Sequence, residues 1–122
     1  MRNACKALII KDGEYLLLRR ANDPPKFNDL WDFPGGRQDG NENLEQTLIR
    51  EVKEETELKV IPNKIERDFQ YKDNEYSLHF YIFSIKSYSG EIQLNEEHTE
   101  YGWFSKNKLP KYLHPSVKTF FE

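Results

Sequence analysis

Residues 33–58, FPGGRQDGNENLEQTLIREVKEETEL, constrain this chain more than any other stretch. An aromatic, strand-like run ends in the double glycine Gly35-Gly36. A polar loop with Asp39, Gly40 and Glu42 follows. Asn43 with Gln46 three residues on has the pattern of a helix N-cap box. It predicts a helix over about 43–57. On that helix Glu51, Glu54 and Glu55 stand at i, i+3 and i+4 and share a face. Their mutual repulsion costs roughly 0.2–0.5 kcal/mol per pair. Leu48, Ile49, Val52 and Thr56 fall on an adjacent arc that can pack on a sheet, leaving the acids at the edge of a cleft. A solvated charged face tolerates this arrangement. A hard divalent cation such as Mg²⁺ would relieve it, because Mg²⁺ takes a few carboxylates and shares phosphate oxygens with its substrate.

The spacing of the whole stretch weighs between these readings. From Gly36, five residues reach Glu42, and seven more reach Arg50-Glu51. Then come Val52, any residue, Glu54-Glu55, any residue, Glu57 and Leu58. This resembles the Nudix box, the signature of the Nudix (MutT-like) hydrolases, across residues 36–58. One position departs: the family has glycine where this chain has Glu57. That glycine sits just past the helix, where a left-handed backbone suits Gly and costs another residue roughly 1 kcal/mol. Glu57 also sets a negative charge at the negative end of the helix dipole.

The resemblance implies roles residue by residue. Glu51, Glu54 and Glu55 would hold metal, with the carbonyl of Gly36 as a further ligand, and one of these acids or Glu97 would activate water; the box leaves open which. Arg50 would fix the carboxylates by ion pairing. Glu42 matches the first glutamate of the box; a plain acid favoured near a helix N-terminus is an equal reading. Many family members carry an acidic loop before an aromatic strand, and its glutamate is an extra metal ligand or general base. Glu97, six residues before Trp103, matches best, with His98 a weaker candidate beside it. An ordinary acidic loop is the alternative.

Composition narrows the partners. With 122 residues the chain suits one domain, residues 1–122, and one core. The net charge of -3 gives no basic footprint for duplex nucleic acid. No apolar run approaches the roughly 20 residues of a membrane span. The start, Met1 to Lys6, lacks the apolar centre of a signal peptide. Cys5 is the single cysteine, which excludes an internal disulfide and marks it for apolar packing. These features predict a cytoplasmic protein with a small-molecule partner.

The remaining chain reads mainly as strands. Asp12-Gly13 between the apolar runs 5–10 and 14–19 predicts a β-hairpin. Residues 20–30 form a polar loop, where Pro24-Pro25 excludes helix and central strand. Phe27 and Trp31 are candidates to stack on a base, or else to cover the core edge, the better reading for Trp31. Arg19, Arg20 and Lys26 would meet phosphates or simply be solvated. Arg37, just after the glycines, joins Arg20, Phe27 and Trp31 as a substrate-binding candidate. Leu30 to Phe33 predicts a short strand. Residues 60–71 suggest another, broken by Pro62. Tyr76 to Ile85 is apolar, aromatic and nearly continuous, as in a central strand; His79 within it is read as structural. Residues 87–95 read as a linker and 116–121 as a short final helix.

The expected fold is therefore α/β: a Nudix-type α/β/α sandwich, with a mixed sheet between the box helix and the C-terminal helix. The resemblance implies Mg²⁺-dependent (or Mn²⁺-dependent) hydrolysis of a nucleoside diphosphate linked to another moiety. The run Arg19 to Asp23 before Trp31-Asp32-Phe33 looks like the MutT-type pyrophosphohydrolases of nucleoside triphosphates. ADP-ribose, a dinucleoside polyphosphate, or binding without cleavage are the alternatives.

Overall fold

A computed structural model describes residues 1–21 and 25–122. The expectations attached to Asn22, Asp23 and Pro24 lie outside the described residues. The chain begins with β1 (Arg2–Leu8), β2 (Ile10–Lys11) and β3 (Glu14–Arg20). Asp12 and Gly13 turn β2 into β3 with φ of 52° and 79°, the paired positive angles that an Asp-Gly turn supplies. The hairpin is shorter than its flanking runs suggest. Ile10 pairs with Tyr15 and Lys11 with Glu14, after which the two runs enter different sheets.

In one sheet β1 lies between β5 (Gly35–Arg37) and β7 (Ser77–Ser89), and β6 (Lys59–Lys72) forms the far edge. β1 runs parallel to β7, and the other pairs are antiparallel, so the sheet is mixed. In the second sheet β3 pairs with β2, β4 (Trp31–Asp32) and β8 (His98–Phe104).

Strand alternation then sorts side chains between two cores. Cys5, Ala7 and Ile9 pack with Leu48 and Val52 of α1 (Leu44–Thr56). Ala4 and Leu8 pack on the other side with Phe33, Phe80 and Val117, the last from α2 (Pro115–Phe121). Each fully buried aliphatic of this kind contributes about 1.5–3 kcal/mol. The helices thus cover opposite faces, as the expected α/β arrangement requires. Cys5 is fully buried, and burial raises its thiol to about 12, so it packs as a small apolar residue.

Several expectations change. Pro62 does not break its strand: β6 continues through it, with register shifts between Ile61 and Pro62 and between Pro62 and Lys64. An edge strand with a bulge tolerates the missing N–H of proline. β7 reaches Ser89, paired to Lys59, so the linker begins at Gly90 rather than Ser87. Ile49 is 42% exposed, because one helical step turns it away from the buried Leu48. Among the described residues, no helix is long and apolar enough to cross a membrane.

Candidate active site

A cleft of about 280 Å³ runs from α1 to the start of α2. Its acidic end rests on how α1 is anchored. Asn43 Oδ1 accepts from the Gln46 amide at 2.8 Å, and Gln46 Oε1 accepts from the Asn43 amide at 2.9 Å. This closes the expected capping box. At the far end Glu57 adopts φ 65°, and its amide donates to the Lys53 carbonyl at 2.9 Å. The left-handed cap expected of a glycine is therefore kept without one.

The three helix acids part ways. Glu55 turns to the sheet, 5% exposed, and its Oε1 accepts from the Gly35 amide at 2.9 Å. Burial holds its carboxyl well above the usual carboxylate range; Lys6 and the Gly35 amide only partly offset this. Glu51 is also raised by burial, against the pull of Arg50. Gly36 lies directly over it: a Cβ there would stand 2.5 Å from the Glu51 carboxylate. Glu54 is exposed, accepts from Arg50 at 3.3 Å, and takes no part in the cleft wall.

Arg50 gathers these acids. It donates to Glu51 Oε1 at 2.9 Å, to Glu42 Oε1 at 2.9 Å and to the Arg37 carbonyl at 3.1 Å. Its hydrogen bond lowers Glu42 to about 2, with further help from the Asp39 amide. Glu97, from the loop before β8, completes the acidic end. Glu55, Glu97 and His98 each offer a ligand atom within 4.8 Å of one another. These donors are mostly hard oxygens, and two of the nearby carboxyls are raised by burial. Such a set suits a hard divalent cation.

A buried network around Asp32 also reaches the cleft wall, through Lys6, Arg20 and His114; of its members, sequence reasoning had singled out Arg20 alone. Asp32, 1% exposed, accepts at Oδ2 from Lys6 at 2.9 Å and from Arg20 at 2.6 Å. The Ser116 hydroxyl donates to Oδ1 at 2.8 Å. Burial alone would raise Asp32, but His114, Lys6 and Arg20 outweigh it and leave the carboxyl well below its ordinary value. The Ser116 amide donates to His114 Nδ1, which caps α2. The signal for this network was faint: Lys6 is the one charge within the apolar run Cys5 to Ile10, and Asp32 is flanked by Trp31 and Phe33.

Among the substrate-binding candidates, Arg20, Phe27 and Arg37 reach the cleft wall. Phe27 is 5% exposed and packs on Tyr76 and His114, with ring centroids 5.3 and 5.1 Å away. Trp31 is not brought there; it packs edge-on against Phe104 at 5.1 Å, covering the core edge. Lys26 pairs with Asp73 at 2.6 Å, and Arg19 with Glu100 at 3.3 Å, both on exposed surface. His79 stacks on Tyr81 and bonds Asp68.

Comparison with known proteins places this geometry. A family model described as the NUDIX domain matches residues 2–122. The chain belongs to the NUDIX family. The nucleoside triphosphatase NudI of Escherichia fergusonii is 34% identical over 116 residues, spanning 86% of this chain and 82% of that protein. Among solved structures, the MutT NUDIX hydrolase from Burkholderia pseudomallei matches with a TM-score of 0.90 at 27% identity, covering 98% of this chain and 95% of that one. The MutT protein from Methanosarcina mazei matches at 0.89 and 31% identity, over 98% and 89% of the two chains. The NUDIX hydrolase assignment agrees with the mixed sheet, the two helices and the box. Members of the NUDIX family generally depend on a divalent metal, and the donor set around Glu55 suits one.

Proposed function

We propose that the protein hydrolyses a (deoxy)nucleoside triphosphate to the monophosphate and pyrophosphate, with Mg²⁺ as its metal. The observation that carries this reading is the convergence of Glu55, Glu97 and His98 within 4.8 Å in a cleft that is also lined by aromatic and cationic side chains. The name of the similar nucleoside triphosphatase supports the choice of substrate class.

Glu51 and Glu55, with the Gly36 carbonyl, would hold the metal; Glu54 would join them only on releasing Arg50. The metal would neutralise phosphate charge and lower the pKa of water. Glu97 is the candidate to take the proton of the attacking water, since it stands beside Glu55 on a separate loop. Arg50 positions the carboxylates. Arg20, Arg37 and Phe27 bind the nucleotide. Most of the rate in such chemistry comes from positioning and charge stabilisation.

The test is a product assay. The purified protein is incubated with Mg²⁺ and nucleoside triphosphates, ADP-ribose or diadenosine polyphosphates, with Glu55→Gln as control. Monophosphate plus pyrophosphate from a triphosphate, absent in the control, is the expected outcome. Turnover confined to ADP-ribose or a dinucleoside polyphosphate would replace the substrate class. Nucleotide binding without any product would make the protein a binding module.

A further inference from the structure

Lys6 occupies a strand position where the pattern calls for an apolar residue. Its neighbours on the same face, Ala4 and Leu8, are buried. The Lys6 side chain is only 4% exposed, yet it forms part of the cleft wall. An ammonium has three donors and no acceptor. Among the described residues, its hydrogen-bond partner is Asp32 Oδ2 at 2.9 Å. Asp32 has little left to offer a ligand, since Arg20 shares Oδ2 and Ser116 donates to Oδ1. The carboxylate therefore serves to hold the ammonium in place. A buried charge with unspent donors is costly, and an acceptor brought by a ligand offsets that cost.

The surroundings say what kind of acceptor fits. Ala4, Phe27, Tyr76, Leu78 and Phe80 line the same cleft, and Phe27 and Phe80 pack on His114, whose Nδ1 stands 3.6 Å from Asp32 Oδ1. Apolar and aromatic walls take a flat ring. A ring carbonyl oxygen would accept from Lys6. An exocyclic amino group would set its hydrogens against those of the ammonium.

We propose that Lys6 is a specificity-determining residue that reads the exocyclic group of the nucleobase, favouring a carbonyl oxygen over an amino group. The inference rests on the nucleotide reading above, with the phosphates at the acidic end. It makes inosine and uridine nucleotides better ligands than adenosine and cytidine nucleotides, respectively. Each pair exchanges a carbonyl for an amino group on the same ring system.

Two measurements test this together. The first compares kcat/KM for inosine against adenosine triphosphate and for uridine against cytidine triphosphate, with Mg²⁺. The second titrates the four matching monophosphates by calorimetry. The carbonyl member of each pair is expected to be favoured at least about tenfold, the scale of one hydrogen bond to a charged group. Lys6→Gln, which both donates and accepts, brings each ratio close to one, and Lys6→Arg keeps the preference. Equal ratios in the wild type, a preference for the amino member, or a preference unchanged in Lys6→Gln would overturn the inference. If Lys6→Gln fails to fold, the wild-type ratios decide. If no triphosphate is cleaved but the monophosphates still separate tenfold, the hydrolysis reading falls and the role of Lys6 stands. Monophosphates that bind equally, or not at all, sink it.

Discussion

Gly35 donates its amide hydrogen to Oε1 of Glu55 at 2.9 Å, joining residues 20 apart in sequence. The same glycine faces Lys6 across the β1–β5 ladder. The most buried acid of α1 is thus fixed to the strand pair that also carries the buried cation. Burial raises the Glu55 pKa above its unfolded value. Such a group favours the folded state most below the unfolded pKa, and stability is lost as pH rises toward the folded one. Glu55→Gln removes that loss. In metal-free buffer at neutral pH its Tm should equal or exceed the wild-type value, while turnover falls more than about 100-fold. Thermal melts and single-turnover assays check both. A variant that melts far below wild type would make Glu55 a folding residue instead.

The same carboxylate governs the response to metal. Mg²⁺ bound to the folded state alone stabilises by about 2.7 kcal/mol at a hundredfold excess over Kd. Wild-type Tm should therefore climb with Mg²⁺, and the climb should largely vanish in Glu55→Gln. Parallel slopes for the two proteins would place the metal elsewhere.

Glu57 holds φ 65° with a full side chain. Its carboxylate stands at the negative end of the helix dipole, and the exposed pair with Lys53, at 3.7 Å, adds little. Glu57→Gly should stabilise by about 1 kcal/mol, raising Tm by about 4 °C with activity unchanged. A flat or falling Tm would show that the cap carries no strain.

Much of the box was legible because its information is local. The cap pair Asn43 and Gln46, the helical spacing of Leu48, Val52 and Thr56, and the Asp12-Gly13 turn each depend on residues a few positions apart. Pro62 was misread because tolerance for proline depends on β6 being an edge strand, which is a property of topology. The Lys6–Asp32–Ser116 network left only a faint signal for a related reason. Ser116 and Asp32 lie 84 residues apart, and only the packing of α2 against β4 brings them together. The acid face was legible as a group, but not its division into a buried Glu55, a half-covered Glu51 and an exposed Glu54. That division depends on where β5 crosses the helix.

Glu42 makes an acid-side prediction. Its hydrogen bond to Arg50 lowers its pKa to about 2. A lowered carboxylate stabilises the fold fully above its unfolded pKa near 4.3, and that share is lost as pH falls toward 2. Glu42→Gln should flatten the stability curve between those limits and leave it little changed in shape above pH 6. Denaturant melts across the range measure it. An unchanged acid limb would show that the pair with Arg50 adds nothing to stability.

The two box glycines should fail differently when substituted. At Gly35 a Cβ would stand 1.9 Å from the Cys5 carbonyl oxygen, and φ is 139°, so both the ladder and the backbone reject a side chain. Neither the partner strand nor the dihedral can yield cheaply, and Gly35→Ala should cost about 4 kcal/mol or more. Gly36 has no such dihedral, and its clash is with the flexible end of Glu51, 2.5 Å away. That carboxylate can swing aside, so Gly36→Ala should lower stability by no more than about 1 kcal/mol. The displaced Glu51 would then no longer face the site, and a misplacement of about 1 Å can cost about 100-fold in rate. Circular-dichroism melts alongside kcat separate the two outcomes: a folded, slow Gly36→Ala beside an unfolded Gly35→Ala. A fully active Gly36→Ala would mean that Glu51 reaches the metal from another rotamer, and its contact with Gly36 would lose its functional reading.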